Sequence, residues 1–363
     1  MRKVKVLHVS AGGLGTGGVS SVIFSIVESL YKSIDFSCIV FSKKCSRESD
    51  FCKFGKLFRI QAYGGNFIEK FLRPFILTYS IWRICYKEHF DVIHCHNNHD
   101  QAFCILGAYL AGVPMRIAHS HTKEPDGEIP LHLKVYCKIC FYIINYFATN
   151  KIGCSESACK YLFNGKYQVI NNSFGINRFH WSYKDFSRPL RFVNVGRYCS
   201  NKNQEFVLEV FDIIRRKYKD ATLSLVGTGR NKDKLECLIR SLGLEQSVKM
   251  FSSDSEHMPN VYYNSDIMIF PSRGEGFGIV LLEAQASGCF CFVSDQVPNN
   301  ADVGFLQYLS LNLGANKWAD TIIEFVEKNE IKQNEQILNK LQKFSQNYIS
   351  KIYLNLYESV DDK

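Results

Sequence analysis

Glu275 and Glu283 stand eight positions apart in residues 271–288 (PSRGEGFGIVLLEAQASG), on either side of a glycine-rich turn that opens a helix. Gly276 and Gly278, flanking Phe277, let backbone N–H groups come close to an anion. The helix start adds more donors and the positive end of a dipole. Upstream, residues 265–270 (SDIMIF) form a short apolar run that reads as a buried strand. Strand, glycine turn and helix in that order cradle phosphates at the carboxyl edge of a parallel sheet. Glu275 then lies beside the anion and Glu283 two turns further along the helix, so the two carboxylates bind different parts of one ligand. A nucleotide-sugar fits, with hydroxyls at both ends and a diphosphate between. The plainer alternative is an amphipathic helix carrying two solvated glutamates.

Two cations have matching chemistry. Arg197 and Lys202 follow a predicted strand that ends in Gly196, where they can neutralise a diphosphate and support its departure. A pair of solvated basic residues is the alternative. His119 and His121 follow the predicted strand 116–118, and an imidazole there can donate to a sugar hydroxyl. His94, His96 and His99 form a second histidine group. Its one neighbour of ligand type, Cys95, points to the opposite face of a strand, so acceptor contacts or loop packing are expected rather than zinc. Residues 13–18 (GLGTGG) satisfy G-x-G-x-x-G after a strand, which supports a rival dinucleotide-binding oxidoreductase. Such a site wants an acid at the end of the second strand, where this chain has Ser42, Lys43 and Lys44.

The elements that must position these residues alternate. Strand candidates fall at 4–9, 36–41, 91–94 and 116–118, then at 191–195, 221–226, 247–251, 266–270 and 289–294. Helices are expected near 204–218, 232–242 and 279–287, with a last one over about 334–359. Such alternation argues for parallel sheets covered by helices on both faces. The polar stretch 171–188 separates the two series as a linker.

In this order the segments resemble retaining glycosyltransferases of the GT-B fold, family 4. EGFGIVLLEAQASG is similar to that family's E-x7-E element, and VGRYCSNKNQEFVLEVF to its G-R-x4-K-N donor-phosphate element. VKVLHVSAGGLGTGGVSSVIFSI resembles the opening strand and glycine loop, and DVIHCHNNHD and RIAHSHTK the mid-domain strand ends. The set as a whole resembles the branch used in bacterial exopolysaccharide and capsule assembly. The resemblance implies an α/β protein of two Rossmann-like domains facing across a cleft. Residues 1–180 would form the acceptor- and membrane-facing domain, 181–345 the donor-binding domain, and about 346–363 would cross back to the first.

It also implies roles. Glu275, Arg197, Lys202 and His121 (His119 as the alternative) would be catalytic. Glu283, Gly276, Phe277, Gly278, Gly17 and Gly18 would bind the donor, Glu283 through its ribose. No metal or cofactor is expected, because the cation pair neutralises the diphosphate and no Asp-x-Asp stands at a strand end. The implied partners are a nucleotide-sugar, expected to be a UDP-sugar, and a lipid-linked oligosaccharide acceptor. The chain departs from the family pattern at Asn172-Ser173-Phe174-Gly175, where an acid usually follows the linker asparagine (N-x-I-D), at Ser252, where glycine is common, and at Arg273, where a small or polar residue is usual. A GT-B nucleotide-sugar epimerase or phosphorylase-like enzyme, and a non-catalytic membrane scaffold, are the competing functions.

Composition bounds the rest. At 363 residues the chain suits two domains, and 46% apolar with 22% charged residues is globular. Fourteen scattered cysteines behind a basic start, MRKVKVLHVS, read as reduced thiols of a cytoplasmic protein. Cys137 and Cys140 form a lone C-x-x-C in an apolar segment, a poor zinc site. The net charge of +9 is uneven: residues 1–190 hold 24 Lys+Arg against 13 Asp+Glu, and residues 191–363 hold 20 against 22. With no nucleic-acid recognition module in the chain, an anionic membrane surface is the expected partner of the basic half. Residues 66–90 interleave Lys70, Arg73, Arg83 and Lys87 with Phe71, Phe75, Tyr79 and Trp82, the composition of an interfacial segment or, alternatively, of a core helix with a basic solvent face. The expected location is the inner face of the cell membrane.

Overall fold

The protein is described by a computed structural model covering residues 2–15, 17–42, 44–61, 67–96, 98–122, 130–187, 189–252, 257–328 and 335–360, without the side chains of 67–71 and 335. Thr16, Lys43, Asn66, Arg188 and the side chains of Lys70 and Phe71 lie outside the described residues. The chain divides into two compact units, Met1–Phe174 with Phe344–Lys363, and Gly175–Lys343.

The first unit runs β1 (Lys5–Ser10), α1 (Gly18–Leu30), β2 (Asp35–Val40), α2 (Glu48–Phe51), β3 (Gly55–Arg59) and α3 (Phe67–Glu88). It continues through β4 (Val92–Cys95), α4 (Gln101–Leu110), β5 (Met115–Ser120), α5 (Leu131–Phe147), β6 (Asn150–Gly153), α6 (Glu156–Leu162) and β7 (Gln168–Val169). Its seven parallel strands lie in the order β3-β2-β1-β4-β5-β6-β7. Both faces are covered, which is why β1, β2 and β4 read as near-continuous apolar runs. Strand order reverses between β1 and β4, and a doubly wound sheet opens a crevice at such a point.

The second unit runs β8 (Arg191–Val195), α7 (Gln204–Lys217), β9 (Thr222–Val226), α8 (Lys232–Ser241), β10 (Val248–Phe251), α9 (Met258–Tyr263) and β11 (Ile267–Phe270). Then come α10 (Ile279–Ala286), β12 (Phe290–Ser294), β13 (Leu306–Leu309), α11 (Gly314–Lys328) and α12 (Glu335–Gln342). Its six parallel strands lie in the order β10-β9-β8-β11-β12-β13, reversing between β8 and β11. Trp318, Phe211 and Leu208 are among the side chains buried in its core.

The single last helix expected over 334–359 is two helices. After α12 the chain breaks, Ser345 accepts a hydrogen bond from the Tyr348 N–H, and α13 (Gln346–Glu358) begins. A serine cap of this kind stops one helix from running into the next. α13 packs in the first unit, where Ile349, Tyr353 and Tyr357 join the core cluster that contains Val22, Ile23 and Ile26 of α1.

The segment 66–90 also needs correcting at one cation. Arg73 pairs with Asp100 and is largely covered, so it is part of the α3–α4 contact rather than a solvent-facing charge. Phe75 and Tyr79 are exposed as expected. With Pro74, Trp82, Leu106 and Leu110 they line an apolar groove between α3 and α4. Gly107 makes that contact close, since a Cβ there would meet the Thr78 carbonyl oxygen at 2.4 Å.

Candidate active site

The β8–β11 reversal point carries the residues singled out from the E-x7-E segment. Two loops leave adjacent strands there and are tied together. Asn201 Nδ2 donates to the Gly274 carbonyl (2.7 Å), the Arg273 N–H donates to the Asn201 carbonyl (2.8 Å), and Asn203 Nδ2 donates to the Pro271 carbonyl (3.3 Å). Across this seam Lys202 Nζ forms an ion pair with Glu275, and Ser272 Oγ donates to the same carboxylate oxygen at 2.7 Å. Gly196 leaves room for the lysine stem, because a Cβ would lie 3.2 Å from Lys202 Cδ. Arg197 is exposed beside them, its carbonyl held by Gln204 Nε2 at 3.0 Å. Gly276, Phe277 and Gly278 lead into α10, and Gly278 adopts φ +89°, a left-handed conformation that favours glycine.

Glu283 lies on α10, just past its first turn. Its Oε2 accepts a hydrogen bond from the hydroxyl of the buried Tyr262 at 3.0 Å. Burial raises its carboxyl pKa to about 7, opposed by the Tyr262 hydrogen bond and by the nearby Arg178 guanidinium. Tyr262 belongs to no motif read from the sequence, and Ser272 and Asn201 lie inside quoted segments without a role assigned to them there. Their relevance comes from pairings that only the fold creates.

In the first unit, Gly17 is the N-cap of α1, and both Gly17 and Gly18 are exposed with open space where a Cβ would stand. His121 is partly exposed and His119 fully buried, its N–H bonded to Gln101 Oε1 at 3.0 Å. They belong to a larger assembly at the ends of β1, β4 and β5. His8 Nδ1 lies 3.0 Å from His96 Nε2, and His96 Nδ1 lies 2.8 Å from His121 Nε2. His94 Nε2 lies 3.0 Å from His119 Nδ1, and its Nδ1 lies 2.8 Å from the Tyr357 hydroxyl. Burial keeps all five imidazoles neutral, pushing the pKa of His8 and His121 down to about 3 and those of His94, His96 and His119 well below the usual range. His99, grouped with His94 and His96 in the sequence, packs instead on Tyr161. His8 lies in the quoted opening strand but was given no role there; it joins because β1 and β4 are neighbours with His8 opposite His94.

Among the described residues no helix is long and apolar enough to cross a membrane. All fourteen cysteines are free thiols.

Comparison with known proteins shows what this chain is similar to. A family model described as "Glycosyl transferases group 1" matches residues 176–344, nearly the whole second unit. By sequence the chain is 26% identical to the glycosyltransferase EpsF of Bacillus subtilis (strain 168), covering 88% of this chain and 86% of that one. It is 23% identical to the capsular polysaccharide biosynthesis glycosyltransferase CapH of Staphylococcus aureus, over 90% and 91% of the two chains. It is 24% identical to the Escherichia coli UDP-Gal:alpha-D-GlcNAc-diphosphoundecaprenol alpha-1,3-galactosyltransferase, over 75% and 79%. Anabaena Alr3699/HepE, solved in complex with UDP and glucose, superposes with a TM-score of 0.76 at 17% identity, covering 98% of this chain and 100% of that one. With that domain as its second unit and a GT-B fold along its length, the chain is a glycosyltransferase.

Proposed function

We propose that the protein is a retaining, family 4 enzyme that moves a hexose or N-acetylhexosamine from a UDP-sugar to a hydroxyl of a lipid-linked glycan, in the assembly of a bacterial capsule or exopolysaccharide. The observation that carries this reading is the convergence of Lys202, Glu275 and the Gly276–Gly278 turn at the β8–β11 reversal point, with Glu283 just past the first turn of the helix that follows. The relatives named for capsule synthesis and for transfer from UDP-Gal to a diphosphoundecaprenol acceptor support the donor and acceptor classes.

In this mechanism Arg197, Lys202 and the amides before α10 stabilise the departing diphosphate. Glu275 orients the transferring sugar, Glu283 holds the ribose, and Gly17, Gly18 and His121 serve the sugar and acceptor side in the first unit. His121 is the better of the two candidates because His119 is sealed from solvent. The acceptor hydroxyl attacks the anomeric carbon on the face the diphosphate leaves. Its proton passes to a phosphate oxygen of the leaving group, so the configuration is retained without an enzymic nucleophile. Cations supply the electrostatic stabilisation, and the transfer step needs no metal.

The acceptor lipid brings the protein to an anionic membrane surface at the cytoplasmic face. The exposed apolar and basic side chains of α3 and α5 support that placement: Phe75, Tyr79, Leu131, Ile139 and Tyr142 stand among Arg83, Lys87, Lys134 and Lys138. The deciding experiment is a thermal-shift panel of nucleotide-sugars, since a ligand that binds only the folded state raises its melting temperature. UDP-sugars should give the largest shift, and NMR of the product should show the donor's anomeric configuration. An inverted product, or no shift with any nucleotide-sugar, overturns the reading.

A further inference from the structure

We propose that His96, His119 and His121 bind a divalent transition-metal ion of the zinc class through three imidazole nitrogens, at the carboxyl end of the first unit's sheet. His121 is shared with the proposed transfer reaction, where it serves the sugar side, so an ion held here competes with that role; the ion takes no part in neutralising the diphosphate.

One nitrogen from each of the three residues lies within 4.8 Å of the other two. Tetrahedral zinc holds imidazole nitrogens at about 2.0–2.1 Å, so its ligand atoms stand roughly 3.3 Å apart. His96 Nδ1 and His121 Nε2 are already 2.8 Å apart, and His119 offers the third nitrogen of the trio. That third atom is His119 Nε2, which is buried and has no hydrogen-bond partner. An unpaired polar atom in the interior costs free energy, and coordination removes that cost.

The other nitrogen of two of these rings is already committed in the sense a ligand needs. His96 Nε2 lies 3.0 Å from His8 Nδ1, and His119 Nδ1 lies 3.0 Å from His94 Nε2, whose own Nδ1 meets the Tyr357 hydroxyl. If His96 Nε2 and His119 Nδ1 carry the protons, both rings turn a bare lone pair toward the ion, and the outer residues fix the tautomers. This assignment puts a proton on His8 Nε2, which keeps no partner. A second trio, His8, His94 and His96, also has its nitrogens within reach of one another. It is fully buried, and both nitrogens of His94 are taken by His119 and Tyr357, so the trio with the partly exposed His121 is preferred.

The donor set selects the ion. Three imidazoles with no carboxylate suit zinc, cobalt, nickel or copper and disfavour magnesium, calcium and manganese. Three neutral ligands leave a fourth position and the ion's full charge, so water or hydroxide completes the shell.

The test uses the full chain, dialysed against a chelator and titrated with zinc and, separately, cobalt(II). Zinc should bind at one ion per chain and raise the melting temperature. Cobalt should give the intense visible bands of a tetrahedral nitrogen site. His119→Gln and His121→Gln should each weaken zinc binding at least about 100-fold, and His94→Gln, which acts only through His119, about 10-fold. His99→Gln, outside the cluster, should bind as the wild type does, and circular dichroism on each metal-free variant separates lost coordination from lost folding. If a variant does not fold, diethylpyrocarbonate labelling of the wild type gives the same answer, with zinc protecting His121. Absence of saturable zinc binding, an octahedral cobalt spectrum, or binding that survives both His119→Gln and His121→Gln overturns the proposal.

Discussion

Two carboxylates on one short segment are asked to do different work, and their surroundings already differ. Glu275 faces Lys202 and Ser272, whereas Glu283 sits under Tyr262 in a poorly solvated position. A ribose contact is the same in ground and transition states, while a contact to the transferring sugar changes as its bond breaks. Glu283→Ala should therefore raise KM for the donor at little cost in kcat, and Glu275→Ala should lower kcat. Steady-state kinetics on the purified variants reads the split, and wild-type values for both would remove the assignment. Glu283 also links stability to pH. Its folded pKa of about 7 lies above the 4.5 of the free carboxyl, so the folded state holds the extra proton between these values. Its contribution is thus favourable at low pH and is lost as pH rises through about 7. Glu283→Gln, which cannot ionise, should gain more melting temperature at about pH 8 than at about pH 5. An equal gain at both would mean the carboxyl is not buried as described.

The elements that hold these residues were legible in the sequence to unequal degrees. β8, β11 and α10 were readable because apolar runs end in glycines and basic or acidic residues, and the expected and observed bounds agree within one residue. β3, β6, β7 and β13 were not, since GKLFR, NKIG, QV and LQYL are too short or too polar to show a period. They are strands because a neighbour supplies the ladder. The site followed the same rule: Lys202, Glu275 and Glu283 carry motif spacing, while Ser272 and Tyr262 enter only through pairings the fold makes, Ser272 with Glu275 and Tyr262 of α9 with Glu283 of α10. At α10 the element itself is testable. Gly278 at φ +89° sets the first turn, and a side chain there costs about 1–3 kcal/mol. Gly278→Ala should lower both the melting temperature and the affinity for UDP measured by calorimetry. Unchanged UDP affinity in a destabilised variant would detach the helix start from the phosphate. Because the loops offer cations rather than a carboxylate pair, turnover should also be equal in manganese, magnesium and EDTA. Full loss in EDTA that manganese or magnesium restores would remove Arg197 and Lys202 as the neutralising pair.

At the scale of the whole molecule, charge and apolar exposure are divided between the units. The sequence showed the asymmetry, 24 Lys+Arg against 13 Asp+Glu over residues 1–190, but not which cations are available. The fold withdraws Arg73 into a pair with Asp100 and adds Lys134 and Lys138, exposed on α5 beside Leu131, Val135 and Ile139. α4 packs between α3 and α5, so these side chains belong to one helical layer. Vesicle binding should therefore require anionic lipid and fade with salt, each cation near the surface contributing about 1 kcal/mol within a Debye length of about 8 Å. Replacing Arg83, Lys87, Lys134 and Lys138 together by Glu should leave the protein at the bottom of a flotation gradient. Turnover on a soluble acceptor analogue should persist, since Lys202, Glu275 and Glu283 are untouched in the other unit. Flotation that is equal on neutral and anionic vesicles, or that survives the fourfold reversal, would assign the basic layer to the acceptor glycan instead of the lipid.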